Sequence, residues 1–352
     1  MSRSIGAVQS IQELIPEWAA PIIALLTQLG DIWFLVLLLG GLYWFNTAAR
    51  RNVALVIGLA FSGMGLYRGL KEIFEFPRPD QPLLEAELLP WMIQPLYEAT
   101  ATASGYGFPS GHATNTTIVY FGLAGALAIG SRRLRYGTAA AIVATVCFTR
   151  VALGVHYLVD VVVGVALGLA FLFGVRTFLE STGTDRPTVG FGLAVLLSGF
   201  YLATTGGDVD SLALAGVTLG AFAGWQGVRL GETVVEATVP SEALRPIAIH
   251  LIVGALALAP LIAALEYFPL FSAYTGAGAI GLASATIIVL PVARHSRHVA
   301  RVMTAVTFWV KMGARGVRYC LRPSTWRRAY RLGRGYVRQL RAWLRARWRE
   351  AS

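Results

Sequence analysis

Residues 157–178 read YLVDVVVGVALGLAFLFGVRTF. Between Asp160 and Arg176 no side chain carries a charge, and the run reaches the length of about 20 residues that a helix needs to cross a hydrocarbon core. The carboxylate near one end is costly in lipid, and an ionisable residue so placed is a functional hypothesis by default. Eight more stretches read as spanning helices, at 29–45, 53–73, 113–129, 136–153, 189–204, 212–228, 247–267 and 274–293. The whole chain agrees with that reading. Of its 352 residues 55% are hydrophobic and 14% charged, against roughly 25% charged in ordinary soluble domains, and the mean hydropathy is +0.59. The alternating ten-residue pattern of a membrane barrel is missing. An all-α, polytopic transmembrane helical bundle follows.

Residues 5–29 are less apolar, with Ile11, Leu14, Ile15 and Trp18 at helical spacing before Pro21, which suits a helix lying on the membrane surface. The first eighteen residues carry Arg3, Glu13 and Glu17 and no compact apolar run, so no cleavable leader is expected. Asp31 either caps the first spanning helix or lies within it. The net charge of +11 is concentrated at one end. From Arg294 onward 16 of the 30 basic residues face Glu350 alone, and 14 basic and 18 acidic residues precede them. Trp326, Tyr330, Val337, Leu340 and Leu344 fall near one helical face among these arginines, a pattern that suits an amphipathic helix on anionic lipid headgroups better than nucleic-acid binding.

Arg50, Arg51, Arg132, Arg133, Arg135, Arg176, Arg186 and the tail all fall on one side of the bundle, which the positive-inside rule makes cytoplasmic. The opposite, outer side receives the 80–107 loop, whose prolines and large apolar residues suggest a lid or half-buried flap. Pro187 and the polar stretch before it divide the chain into a core at 1–187, an accessory four-helix region at 188–293 and the tail at 294–352. In the accessory region Gly216, Gly220 and Gly224 repeat every four residues, as close helix packing requires.

Three segments bring ionisable side chains to the outer ends of these helices. His156 and Asp160, four apart, share a helical face, so the carboxylate can hold one imidazole nitrogen as N–H and leave the other free to attack a substrate. Gly164 and Gly168 continue that stripe and smooth the face for a neighbouring helix. Pro109-Ser110-Gly111-His112 precedes a helical run. Ser110 is a good cap, its hydroxyl and the free backbone N–H groups at the helix start suit phosphoryl oxygens, as expected for Ser110 and Gly111, and His112 sits where a general acid could protonate a leaving group. Lys71, Arg78 and Arg150 add fixed cations of the kind that stabilise a transition state richer in negative charge than the ground state. Asp80, Glu85, Glu87 and Glu98 share a loop without a metal-ligand spacing, and Cys147 and Cys320 form neither a disulfide framework nor a thiolate site. Neither metal nor cofactor is expected.

Together these residues resemble the signature of the type-2 phosphatidic acid phosphatase superfamily, which also includes vanadium haloperoxidases. Its first two elements, Lys-x6-Arg-Pro and Pro-Ser-Gly-His, stand intact at Lys71 to Pro79 and Pro109 to His112. The third, Ser-Arg-x5-His-x3-Asp, runs from Arg150 to Asp160 with Thr149 in place of Ser, which keeps a hydroxyl. The likeness covers about residues 20–180. It implies a phosphatase-like core followed by additional C-terminal transmembrane helices, with His156 as the nucleophile that becomes phosphohistidine, Asp160 as its partner and His112 as the acid. Lys71, Arg78, Ser110, Gly111 and Arg150 hold the phosphate in this reading.

The expected activity is hydrolysis of a lipid phosphomonoester or diphosphate at the outer face. Polyprenyl diphosphate stands first among the substrates, followed by phosphatidate-like and phosphatidylglycerophosphate-like lipids. A lipid phosphotransferase using the same intermediate is one alternative, and a transporter or scaffold that works through its accessory helices is another. Haloperoxidase chemistry is disfavoured because the oxidising members of the family are soluble. No oligomeric state is assigned.

Overall fold

Each apolar run is cut at a residue suited to ending or starting a helix. Ser110, Ser131 and Asp185 stand at N-caps, where their side-chain oxygens accept from the amides of Ala113, Leu134 and Thr188. Gly183 and Gly206 adopt the left-handed conformation that closes a helix C-terminus. Pro187 occupies a first turn, where its missing N–H costs nothing.

The computed structural model of the chain describes residues 7–79, 81–89, 91–92, 94–101, 103–236 and 240–293, with single positions at 312, 315 and 334. The described residues form twelve α-helices and no strand. They are α1 Ala7–Gln12, α2 Ala20–Thr27, α3 Ile32–Phe45, α4 Arg50–Phe74, α5 Gln94–Ala101 and α6 Gly111–Ala126, then α7 Arg132–Ala152, α8 Leu158–Thr182, α9 Arg186–Thr205, α10 Val209–Glu236, α11 Pro240–Tyr267 and α12 Ala273–Ala293. Met1–Val292 make one compact unit and Ala293–Ser352 another. The tail assigned to anionic headgroups lies outside the described residues, as does Asp80.

All nine expected spans are helical, but fewer have the length and apolar character to cross a membrane. Six of the described helices do so, namely α4, α8, α9, α10, the 244–267 part of α11, and α12. Glu17–Gly30 and Ile32–Phe45, bent by 48° at their junction, make a seventh when taken together. α6 is only 16 residues long and buries Thr114, Asn115, Thr116 and Thr117. Enclosed by α4, α7 and α8, it needs no lipid-facing surface, and its hydroxyls bond back along the helix, Thr114 to Ser110 O and Thr117 to Ala113 O. α7 begins on Arg132, Arg133 and Arg135 and reaches Arg150 in its last turn, so its apolar middle is short.

The N-terminal stretch, expected to be one surface helix, is broken. A 3₁₀ turn at Glu17–Ala19 follows Pro16, and Pro21 opens α2. α2 packs on α7 and α5, with Ala20 and Ala24 fully buried. The 80–107 loop is also more ordered than a bare flap. It forms a 3₁₀ turn and α5, and it packs Leu89, Tyr97 and Ala101 against α2 and the α7–α8 turn.

Helix contacts in the rest of the bundle run through glycine. Lipid tails are as apolar as the side chains they touch, so close backbone approach supplies much of the helix association. α4 lies along α9 so tightly that a Cβ at Gly65 would collide with the Leu197 carbonyl. Gly216, Gly220 and Gly224 of α10 rest on the backbones of Ala277, Gly281 and Ala285 of α12, as the fourfold spacing anticipates. At the end of the bundle away from the motifs, Asp185 accepts from Trp225 Nε1 at 2.8 Å and pairs with Arg51, and Arg51 reaches Glu232 at 2.7 Å. This network pins α9 and α10 to α4.

Gly220→Val sets a branched side chain against the Gly281 carbonyl. The variant should lose about 1–3 kcal/mol, read as a lower midpoint in thermal unfolding of the detergent-solubilised protein. An unchanged midpoint would show that α10 and α12 do not need this approach.

Candidate active site

Two backbone contacts assemble the site. The amide of Ser110 donates to Asp160 O at 3.0 Å, tying the start of α6 to the first turn of α8. Farther along, Gly164 and Gly168 lie against Ser110 O and Thr114 O with no room for a Cβ. The smooth stripe on α8 therefore does pack another helix, and that helix is α6.

His156 lies ahead of α8, in the turn that follows α7. Gly154 makes the turn at φ +71°, and any Cβ there would strike the Gln81 carbonyl. The spacing to Asp160 works for a different reason than a shared helical face. Asp160 is in the first turn of α8, where its Oδ2 accepts from the Tyr157 amide at 3.0 Å and lies 3.5 Å from His156 Nδ1. The other ring nitrogen, Nε2, stands 3.1 Å from the Arg78 guanidinium. His156 is 1% exposed. Burial first, then the positive charges of Arg78, Arg150 and Lys71 and the nearby His112, hold its pKa well below the ordinary histidine range. Both effects favour the neutral imidazole.

The three cations are anchored by carbonyl oxygens. Lys71 Nζ donates to Tyr106 O at 2.9 Å. Arg78 donates to Gly105 O and Val155 O at 3.1 and 2.9 Å. Arg150, at the end of α7 and 4% exposed, reaches Thr100 O and Thr27 Oγ1, both at 3.3 Å. The 80–107 loop therefore supplies acceptors to all three. Carbonyl dipoles orient the cations without neutralising them, so positive charge is left to meet an anion.

His112 brings in a residue that the motif reading left at a helix cap. Its Nε2 lies 2.8 Å from Oδ1 of Asp31, a spacing at which a carboxylate accepts the ring N–H. Asp31 does stand at the N-cap of α3, but its side chain caps nothing and turns to the histidine instead. The site thus holds one hydrogen-bonded carboxylate–histidine pair, Asp31 with His112, and one looser approach, Asp160 to His156, whose Nδ1 makes no hydrogen bond among the described residues. Tyr67 was also unforeseen. It sits one turn before Lys71, and its ring fills the space where Gly111 would carry a Cβ. Of the eight residues expected from the motifs, Arg78 and Asp160 lie against His156, the charges of Lys71, Arg150 and His112 act on its ring, and Ser110, followed by Gly111, is tied to Asp160 through its amide. Asp31 could have been singled out only as a lone carboxylate at the mouth of an apolar run. Among the described residues, no three His, Cys, Asp or Glu side chains are grouped so as to hold a metal ion.

Comparison with known proteins bears on the same segment. The family model for the PAP2 superfamily matches residues 51–182. A decaprenylphosphoryl-5-phosphoribose phosphatase of Mycobacterium tuberculosis is 32% identical over 155 residues, which cover 44% of this chain and 73% of that protein. Phosphatidylglycerophosphatase B of Bacillus subtilis is 30% identical over 195 residues, covering 50% and 86%. Among solved structures, the crystal structure of a transmembrane PAP2 type phosphatidylglycerolphosphate phosphatase from Bacillus subtilis overlaps with a TM-score of 0.40 at 27% identity, covering 52% of this chain and 89% of that one. The family match begins after Asp31 and ends with α8.

Two measurements probe this arrangement. If the neutral His156 ring is the attacking group, the downward shift of its pKa should bring the acid limb of kcat/KM for phosphate release below the ordinary histidine value of about 6.5, after correction for the phosphate's own ionisation at about 6. Arg78→Gln removes a positive neighbour and should move that limb upward; a limb already at the ordinary value in the native protein would contradict the depression. Asp31→Asn should lower kcat/KM by about 10- to 100-fold, less than loss of the His112 ring itself, and full activity in this variant would make the pair at 2.8 Å a packing contact.

Proposed function

The chain belongs to the PAP2 superfamily, and from that membership we propose that this multi-pass membrane protein hydrolyses the phosphomonoester or diphosphate of a lipid at the outer membrane face. The observation that carries the reading is the buried His156 between the Asp160 carboxylate and the Arg78 guanidinium. The two relatives are named for lipid-linked substrates, which supports a lipid as the leaving group here. The outer location rests on the arginines that crowd the other side.

In this mechanism Nε2 of His156 attacks phosphorus, the bond to the lipid oxygen breaks, and His112 delivers a proton to that oxygen. Asp160 supports the positive charge that the attacking ring acquires. Water then attacks the phosphohistidine, His112 takes the water's proton, and inorganic phosphate leaves with the His156 ring restored. Lys71, Arg78, Arg150 and the amides at the start of α6 bind the equatorial oxygens, and they bind them more tightly as charge builds toward the transition state. Their acceptor partners orient them in advance, so little reorganisation is needed during reaction. No step calls for a metal. The reading assigns catalysis to residues 1–187, a supporting role to the helices of 188–293, and attachment to anionic headgroups at the inner surface to the tail.

Phosphate release from a panel of lipid phosphates and diphosphates in vesicles tests this. His156→Ala should abolish release, His112→Ala should reduce it by about 10²- to 10⁴-fold, and a chelator should leave the native rate unchanged. Native-level release from His156→Ala would refute the histidine nucleophile, and loss of activity on chelation would refute metal independence.

A further inference from the structure

We propose that α10 and α12, together with α3 and α4, enclose the chamber that receives the hydrocarbon chain of the lipid substrate. The proposal rests on the hydrolase reading above and gives the accessory helices a part in it. Between these four helices lies a cavity of about 510 Å³ with walls that are almost wholly apolar, within the range of roughly 300–1,000 Å³ usual for small-molecule sites. It adjoins a smaller cavity of about 220 Å³ lined by His112, Asp31 and Gly111, and Ile32 and Asn115 line both. Asn115 is 4% exposed, and its Oδ1 has no hydrogen-bond partner among the described residues. A buried polar atom left open is costly, and this one lies where a polar headgroup gives way to its chain.

The dimensions suit a chain that hangs inward from the site. Three walls begin at the level of the motifs and run eleven residues down, from Ile32 to Tyr43 on α3, from Arg68 back to Ile57 on α4, and from Asp210 to Ala221 on α10. At a rise of about 1.5 Å per residue that is about 16 Å, close to half of a hydrocarbon core of about 30 Å. The rim is polar, with Arg68 and Asp210 paired at 3.0 Å. The floor is closed where the Tyr43 hydroxyl donates to Ile288 O at 2.6 Å. On the side between α3 and α12, Val36, Ile280 and Ile287 are about half exposed, so a chain can enter sideways from the bilayer without passing through water.

The face that α10 turns to this space is distinct from its packing face. Gly216, Gly220 and Gly224 meet α12 backbone to backbone, and Ala213, Val217 and Ala221, on a neighbouring stripe, line the cavity. Close packing on one stripe thus brings the other beside the site. Since each buried methylene adds to binding, the rate on subsaturating substrate should rise with chain length until the chamber is filled.

The test uses the full-length protein in vesicles and a long-chain lipid monophosphate bearing a diazirine at the chain end, with adducts mapped by mass spectrometry after photolysis. The expected adducts lie on the chamber walls of α3, α10 and α12. Ala213→Phe and Ala283→Phe fill the chamber from positions that are not fully buried. Each should weaken labelling, and phosphate release from the long-chain substrate, by about tenfold, the equivalent of about 1.4 kcal/mol. Release from a short-chain, water-soluble alkyl phosphate should stay unchanged. Adducts confined to outward-facing residues such as Leu196 and Leu256, or variants that fold and label as the native protein does, would overturn the assignment. Native protein that labels in the chamber yet releases phosphate from neither substrate would refute the hydrolase reading and uphold the chamber.

Discussion

The structure is organised around concentrated positive charge held in a mostly apolar setting. Lys71 and Arg78 from one segment and Arg150 from another converge on one buried imidazole, where solvent screening is weak and like charges repel. The fold makes this tolerable in two ways. Backbone carbonyls of the 100–106 region and of Val155 accept from the cations, and the carboxylates are held elsewhere, Asp31 by His112 and Asp160 by the Tyr157 amide. Had carboxylates paired the cations directly, the site would be electrically satisfied and of little use to a phosphate. Carbonyl dipoles fix the donors and leave their charge available.

That arrangement explains why so much of the bundle is built from small residues. The cations, histidines and carboxylates sit on or beside the ends of different helices, so backbones must approach closely enough for short reaches to meet. Gly164 and Gly168 bring α8 onto α6, and Gly111 admits Tyr67 from α4. The same device recurs away from the chemistry, between α4 and α9 and between α10 and α12, where the Asp185 network adds polar links at the far end. The accessory helices are thereby joined to the helix that carries Lys71, and their position relative to the site is set by packing and charge together.

The motifs were legible because their spacing is short and their chemistry uncommon in lipid. Pro-Ser-Gly-His announces a helix start, and the spacing of His156 and Asp160 announces a close approach, although the ring lies in a turn and the carboxylate in the helix that follows. Hydropathy was a weaker guide. It records how apolar a helix is and says nothing of what surrounds it, so α6, enclosed and rich in threonine, was counted as a span of ordinary kind. The 80–107 loop was recognised as too apolar to be solvated, but its contribution of carbonyl acceptors could not be read, because every residue has a carbonyl and only the fold aims it.

The amino-acid sequence by itself determined the membrane-embedded helical class, the family and the positions of the eight motif residues, since each depends on composition or on neighbours a few positions apart. Only the tertiary structure decided that Asp31 partners His112 across 81 residues of chain, that the loop carbonyls orient the cations, and that an apolar cavity bordered by α10 and α12 shares Ile32 and Asn115 with the smaller cavity that His112 lines. Those relations depend on which helix faces lie together, and that is settled by packing among elements whose order along the chain does not prescribe it.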